Sequence, residues 1–194
     1  MAQPPPPAGM DPGKVALRKA ALAARAALTP AIRQSAGAAL AETGPPAIIR
    51  LVPAARILAG YVALRDELDP APLLAALAAS GFRLALPRMT ADGLAFHAHE
   101  IGDALEKSAF GVAEPPADTP IVAPDVILTP LVAFDRRGNR LGYGKGYYDR
   151  AFAAHPQATG IGLAFAAQEV PMVPAEPHDR PLAAILTEAG LVLP

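Results

Sequence analysis

Residues 56–87 constrain this chain more than any other stretch: an apolar run at 56–62, an Ala- and Leu-rich segment at 70–80 stopped by Gly81, and a second apolar run at 82–87. The two runs read as buried strands and the segment between them as a helix. Strands joined by a helix cross over and lie parallel, and a parallel sheet needs helices on its faces. The fold class is therefore α/β with a mainly parallel sheet. Further along, 94–99 alternates like a strand with one polar face, 125–134 is the clearest buried strand, and 159–165 and 182–187 read as two more. A helix is expected at 146–154, whereas 101–119, carrying Gly102, Gly111, Pro115 and Pro116, reads as loop. Ahead of the sheet, 14–28 suits an amphipathic N-terminal helix, which Thr29 and Pro30 end and restart with Thr29 as cap. Prolines at 4–7 and 12 make residues 1–12 a disordered lead-in to a single domain over 13–194.

Several chemistries drop out on composition. With 17 Lys plus Arg against 18 Asp plus Glu the net charge is -1, which suits neither a nucleic-acid-coating protein nor a polybasic membrane binder. No apolar run reaches the roughly 18–20 residues of a spanning helix, and the opening MAQPPPPAGM lacks the charged start and apolar centre of a secretory signal. A cytoplasmic protein is expected, and a monomer, since no exposed apolar helix face stands out. The chain has 0 Cys, which removes disulfides, thiolate nucleophiles and cysteine metal sites together. His97 and His99 share one strand face without an evident third metal ligand and read as hydrogen-bonded or solvated histidines.

The most informative stretch is FDRRGNRLGYGKGYYDR at 134–150, which follows a buried strand and opens a helix. Gly142, Gly144 and Gly146 alternate there. Glycines at such a place let backbone N–H groups approach an anion, and the helix start behind them adds its positive dipole end, making a phosphate cradle. Lys145 and Arg140 supply the charge. Gly146 stands where a Walker loop would carry the Ser or Thr that holds Mg²⁺, and the spacing differs from G-x-G-x-x-G, so neither a P-loop nor a nicotinamide site is expected. A flexible turn with solvated cations would use the same residues. Tyr147 and Tyr148 offer faces for a flat heterocycle, and Asp149 is a natural outer partner for Mg²⁺ beside bound phosphates; core packing of Tyr148 and an Asp149–Arg150 pair are the plainer alternatives.

The run GNRLGYGKGYYD at 138–149 resembles the signature of the 5-formyltetrahydrofolate cyclo-ligase family, also called methenyltetrahydrofolate synthetases. KVALR at 14–18, RDELD at 65–69, LPR at 86–88, FGVAEP at 110–115 and PHDR at 177–180 before LTE at 186–188 support the likeness from about residue 13 to the C-terminus. The resemblance implies a Rossmann-like three-layer α/β/α domain and ATP-dependent, Mg²⁺-requiring closure of 5-formyltetrahydrofolate, free or polyglutamylated, to 5,10-methenyltetrahydrofolate. It puts Lys14 and Arg18 at the ATP, with Arg140, Gly142, Gly144, Lys145 and Gly146 forming its phosphate loop. Glu67 matches a pterin contact, Tyr147 and Tyr148 match positions lining folate and nucleotide, and Asp149 matches a Mg²⁺ ligand. Lys145, Arg140 and Tyr148 are the implied catalytic set, and Arg88 meets phosphate or a folate carboxylate. Two departures stand out. Aligning on Thr187 and Glu188 places Ala183 where relatives usually carry a second Mg²⁺-associated Asp, and Phe110 stands where Trp is frequent. A sugar-phosphate or CoA-ester enzyme of similar fold would leave Lys14 and Arg18 unexplained; a folate- or nucleotide-binding module without turnover is the reading that Ala183 motivates.

Overall fold

The computed structural model describes residues 12–108, 111–176 and 179–194. Helix α1 (Pro12–Ala26) opens on a proline, whose fixed φ suits a first helical turn, so the helix begins at the last residue assigned to the lead-in. The remainder of that lead-in, Phe110 and His178 lie outside the described residues. Helix α2 (Pro30–Leu51) starts as expected: Thr29 is extended and its hydroxyl accepts from the Ile32 N–H at 3.3 Å. Strand β1 (Ile57–Ala59), helix α3 (Ala71–Ala79) and strand β2 (Arg83–Met89) form the expected crossover unit, and β3 (Leu94–His99) folds back antiparallel on β2.

Inside the stretch expected to be loop, β4 (Glu106–Lys107) and β5 (Ala113–Glu114) make a short antiparallel pair. The long strand expected at 125–134 is two strands. β6 (Val126–Pro130) ends at a residue with no N–H to donate, and β7 (Ala133–Phe134) leaves the main sheet to pair antiparallel with β8 (Arg140–Leu141). Helix α4 (Tyr147–Ala154), β9 (Thr159–Leu163), a 3₁₀ turn at Ala166–Gln168, β10 (Ala184–Thr187) and β11 (Gly190–Val192) complete the described chain. β11 is an antiparallel edge strand beyond the expected set.

The main sheet runs β11-β10-β9-β6-β1-β2-β3, with β10, β9, β6, β1 and β2 mutually parallel. Period-two alternation sorts its side chains between two cores. Leu58, Val126, Leu128 and Leu186 face α2 and α3 through Leu40, Ile48, Leu73 and Leu77. Ala59, Ile127 and Ile185 face the opposite layer with Phe134 and the α4 residues Ala151 and Phe152. The result is the three-layer α/β/α arrangement. The chain leaves β1 toward β2 on one side and returns to β6 on the other, so the strand order reverses between β1 and β6. In open α/β sheets that reversal opens a crevice at the carboxyl ends of the strands, where ligands bind. Among the described residues no helix is long and apolar enough to cross a membrane.

Candidate functional site

A cleft of about 950 Å³ lies at that crevice. Its walls come from the segments that leave the carboxyl ends of β1, β2 and β6, from the loop at 139–146 with the start of α4, and from the outer end of α1. Lys14, Arg18, Glu67, Arg140, Lys145, Tyr147, Tyr148 and Asp149 all line it, along with Gly142, Gly144 and Gly146. Residues spread over most of the chain thus meet in one cavity at the upper end of the size range of small-molecule sites.

Two of the three loop glycines, Gly144 and Gly146, are required by the backbone. Gly144 has φ +84° and Gly146, the N-cap of α4, has φ +66°, a left-handed conformation that costs a side-chain-bearing residue about 1 kcal/mol or more. A Cβ on Gly144 would also stand 3.3 Å from Arg18 Nη2. From α1, the Arg18 Nε–H donates to the Gly142 carbonyl at 2.8 Å, so the first helix clamps the loop directly. One turn earlier, Lys14 Nζ donates to Glu176 at 2.9 Å and to Asp179 at 3.0 Å. Burial disfavours its charge, but the two carboxylates outweigh that and hold the ammonium above its ordinary pKa. Arg140 donates to the Arg180 carbonyl at 2.6 Å, pairs with Asp149 and lies 5.0 Å over the Phe152 ring; burial lowers its pKa. Tyr147 lies under Arg150, the guanidinium carbon 5.1 Å from its ring centroid. Lys145 is exposed, its side chain without an ion pair or hydrogen bond among the described residues.

The other half of the cleft is built on the loop after β1. Glu67 is 6% exposed and its carboxylate accepts the Leu64 N–H at 2.8 Å. Burial raises its pKa, with the Asp66 charge adding to the effect. Burial also pushes the Tyr148 hydroxyl far up, helped by the charge on Glu67, so Tyr148 stays a proton donor at neutral pH. Arg88 takes a different place. Pro87 and Met89 line the cleft but Arg88, on the opposite side of the same strand, donates to the Pro115 carbonyl at 2.5 Å and pairs with Glu106 and Glu114. Strand alternation therefore removes Arg88 from the cleft wall.

Three residues went unnoticed in the sequence. Arg25 is 1% exposed, and its Nη2 donates to Asp66 at 2.9 Å and to the Tyr143 hydroxyl at 2.6 Å while Nη1 donates to the Leu131 carbonyl at 3.3 Å. Arg25 holds the Asp66 carboxyl below its ordinary pKa against the opposing effect of burial. A positional signal existed: Lys14, Arg18 and Arg25 fall on one face of α1, since steps of four and seven residues return nearly to the same azimuth. For a divalent ion the donors are few. Among the described residues no three His, Asp or Glu side chains cluster as a ready metal site, and Asp149 offers one carboxylate, now paired with Arg140. That set fits Mg²⁺ only as an ion carried in by phosphate oxygens, the usual mode for this cation.

The comparisons with known proteins agree. Residues 11–188 match the family model of the 5-formyltetrahydrofolate cyclo-ligase family. The chain is 35% identical over 175 residues to a 5-formyltetrahydrofolate cyclo-ligase of Escherichia coli, covering 84% of this chain and 93% of that protein. It is 35% identical over 193 residues to one of Mycolicibacterium smegmatis, covering 92% and 96%. Its fold is similar to the solved 5,10-methenyltetrahydrofolate synthetase of Aquifex aeolicus, with TM-score 0.76 and 29% identity over 93% of this chain and 92% of the other. A match spanning nearly the whole sequence, carried at the cleft by the loop that α1 clamps, places the chain in the 5-formyltetrahydrofolate cyclo-ligase family.

Proposed function

We propose that this protein closes 5-formyltetrahydrofolate to 5,10-methenyltetrahydrofolate at the expense of ATP, releasing ADP and phosphate. The carrying observation is convergence: the 139–146 loop with Lys14 and Arg18 on one side of the cleft, and the buried Glu67 carboxylate on the other. The formyl oxygen is a poor leaving group. It attacks the γ-phosphorus, ADP departs, N10 adds to the activated carbon, and phosphate then leaves as the N10 proton is lost, which balances the reaction.

This chemistry asks for in-line positioning and for stabilisation of charge spread over phosphoryl oxygens. Backbone N–H groups around Gly142, Gly144 and Gly146 with Lys14, Arg18, Arg140 and Lys145 supply it. Lys14 and Arg140 trade their present carboxylate partners for phosphate oxygens, while Lys145 is already available. Glu67 takes the ring N–H donors of the pterin, and Tyr147 and Tyr148 wall the junction of the two ligands, the Tyr148 hydroxyl serving as donor. Mg²⁺, when bound with the nucleotide, neutralises phosphate charge. Asp149 is the side chain for it, and Ala183 adds none.

The test is the absorbance of methenyltetrahydrofolate formed from 5-formyltetrahydrofolate, with and without ATP and Mg²⁺. Product only with ATP supports the reading. No product despite binding of both ligands replaces it with that of a binding module.

A further inference from the structure

Tyr143 is the one side chain between Gly142 and Gly144, at the tip of the loop, and the residue is 41% exposed, yet its hydroxyl is not left to solvent. It receives an N–H from the buried Arg25 at 2.6 Å, and the same Nη2 holds Asp66, the neighbour of Glu67, at 2.9 Å. The Arg25 guanidinium carbon also lies 5.7 Å from the Tyr143 ring centroid. Arginine only donates, so the hydroxyl must be the acceptor in that bond and keeps its own proton to give. Glu67 follows Asp66 directly in the chain and lines the same cleft as Tyr143. A loop flanked by glycines is otherwise poorly fixed, since glycine carries the largest backbone entropy. One phenol thus ties the glycine-rich loop to Asp66 of the β1 loop through a guanidinium that is itself locked against the end of β6.

We propose that Tyr143 is a positioning residue that couples the two halves of the cleft: its hydroxyl, bound to Arg25 and through it to Asp66, holds the phosphate loop against the β1 loop that carries Glu67, so that occupation of the folate side orders the nucleotide side. The proposal rests on the assignment of the two halves made above. A pterin that donates to Glu67 fixes the β1 loop and with it Asp66, Arg25 and the Tyr143 hydroxyl, which narrows the glycine-rich loop to one arrangement. Nucleotide bound to the loop returns the same advantage to folate, because coupling between sites is reciprocal.

The experiment is calorimetric titration of a non-hydrolysable ATP analogue, alone and with saturating 5-formyltetrahydrofolate, for the wild type and Tyr143→Phe. The substitution keeps the ring and its stacking on Arg25 and removes only the hydroxyl from a partly exposed side chain. In the wild type the analogue should bind about five- to tenfold tighter with folate present, a coupling at the lower end of the usual range. In Tyr143→Phe that ratio should fall to about one, with the melting temperature lowered by only a few degrees for the Arg25 N–H left without its acceptor. A merely structural role would weaken both measurements and leave their ratio intact. A wild-type ratio preserved in Tyr143→Phe, or absent from the wild type, overturns the coupling. Failure of the wild type to bind either ligand overturns instead the assignment of the cleft on which it rests.

Discussion

Asp135 offers the sharpest quantitative test of how the loop is held. It is 1% exposed and accepts four hydrogen bonds: from the Arg137 N–H at 2.9 Å, the Asn139 N–H at 3.1 Å, the Asn139 side-chain amide at 3.0 Å and the Val173 N–H at 3.0 Å. These bonds fix both the start of the glycine-rich loop and the approach to Glu176 and Asp179. Burial raises the Asp135 pKa, but the four donors more than compensate and hold it below the ordinary value. In Asp135→Asn one oxygen keeps its two backbone donors, while the new NH₂ faces two donors. Asn139 can flip its amide and become an acceptor, which leaves the Val173 N–H buried without a partner. One orphaned donor costs about 1–3 kcal/mol, and the surviving bonds each lose their charge assistance, so the substitution should destabilise the protein by about 3 kcal/mol. With a urea slope of about 2 kcal/mol/M, the unfolding midpoint followed by circular dichroism should fall by about 1.5 M at pH 7. The pH dependence has a fixed sign. A depressed folded-state pKa contributes stability above the unfolded value near 3.9, lost as pH falls through the folded one, so the wild type should have a steeper acid limb than the variant. A midpoint shift under about 0.5 M, or parallel acid limbs, would refute the reasoning.

Lys145→Ala should lower kcat by about 100-fold through loss of charge stabilisation at the transferring phosphoryl group, with little change in melting temperature because the side chain is exposed; unchanged kcat and KM for ATP would remove Lys145 from the phosphate loop. Glu67 titrates above an ordinary glutamate, so folate affinity should begin to fall on acidification above the usual carboxylate range near 4.3. Glu67→Gln should bind folate more weakly at neutral pH and show no such fall, as fluorescence titration across pH 4–7 will show.

The fold was legible where periodicity and punctuation were strong. The strand, helix, strand unit, the Thr29 cap and the glycine-rich entry to α4 each leave a local mark, and each stands within a few residues of its expected place. What escaped depended on partners distant in sequence. Leu131 and Val132 look like strand continuing past Pro130, yet Val132 donates to the Leu141 carbonyl and commits the chain to a different pairing. β11 is a three-residue edge, too short to show alternation. At the site, glycines and cations could be read because their chemistry is local to one loop. Tyr143 could not, since its role exists only through Arg25, 118 positions earlier. Arg88 illustrates the converse: a cation in a matching motif, turned by strand alternation toward Glu106 and Glu114.

The clamp of α1 on the loop also dictates an order of assembly. Lys14 reaches Asp179 across 165 positions, and α1 rests on a small core of its own, Ala21 against Val132, Ala133, Leu141 and Val173. During synthesis the helix that delivers Lys14 and Arg18 emerges well before the surface that receives it. Contacts so distant in sequence form late, after the central strands have found one another. An unfinished chain therefore has no assembled cationic cradle, and a ligand that needs both α1 and the loop would bind only finished molecules and steady them by mass action.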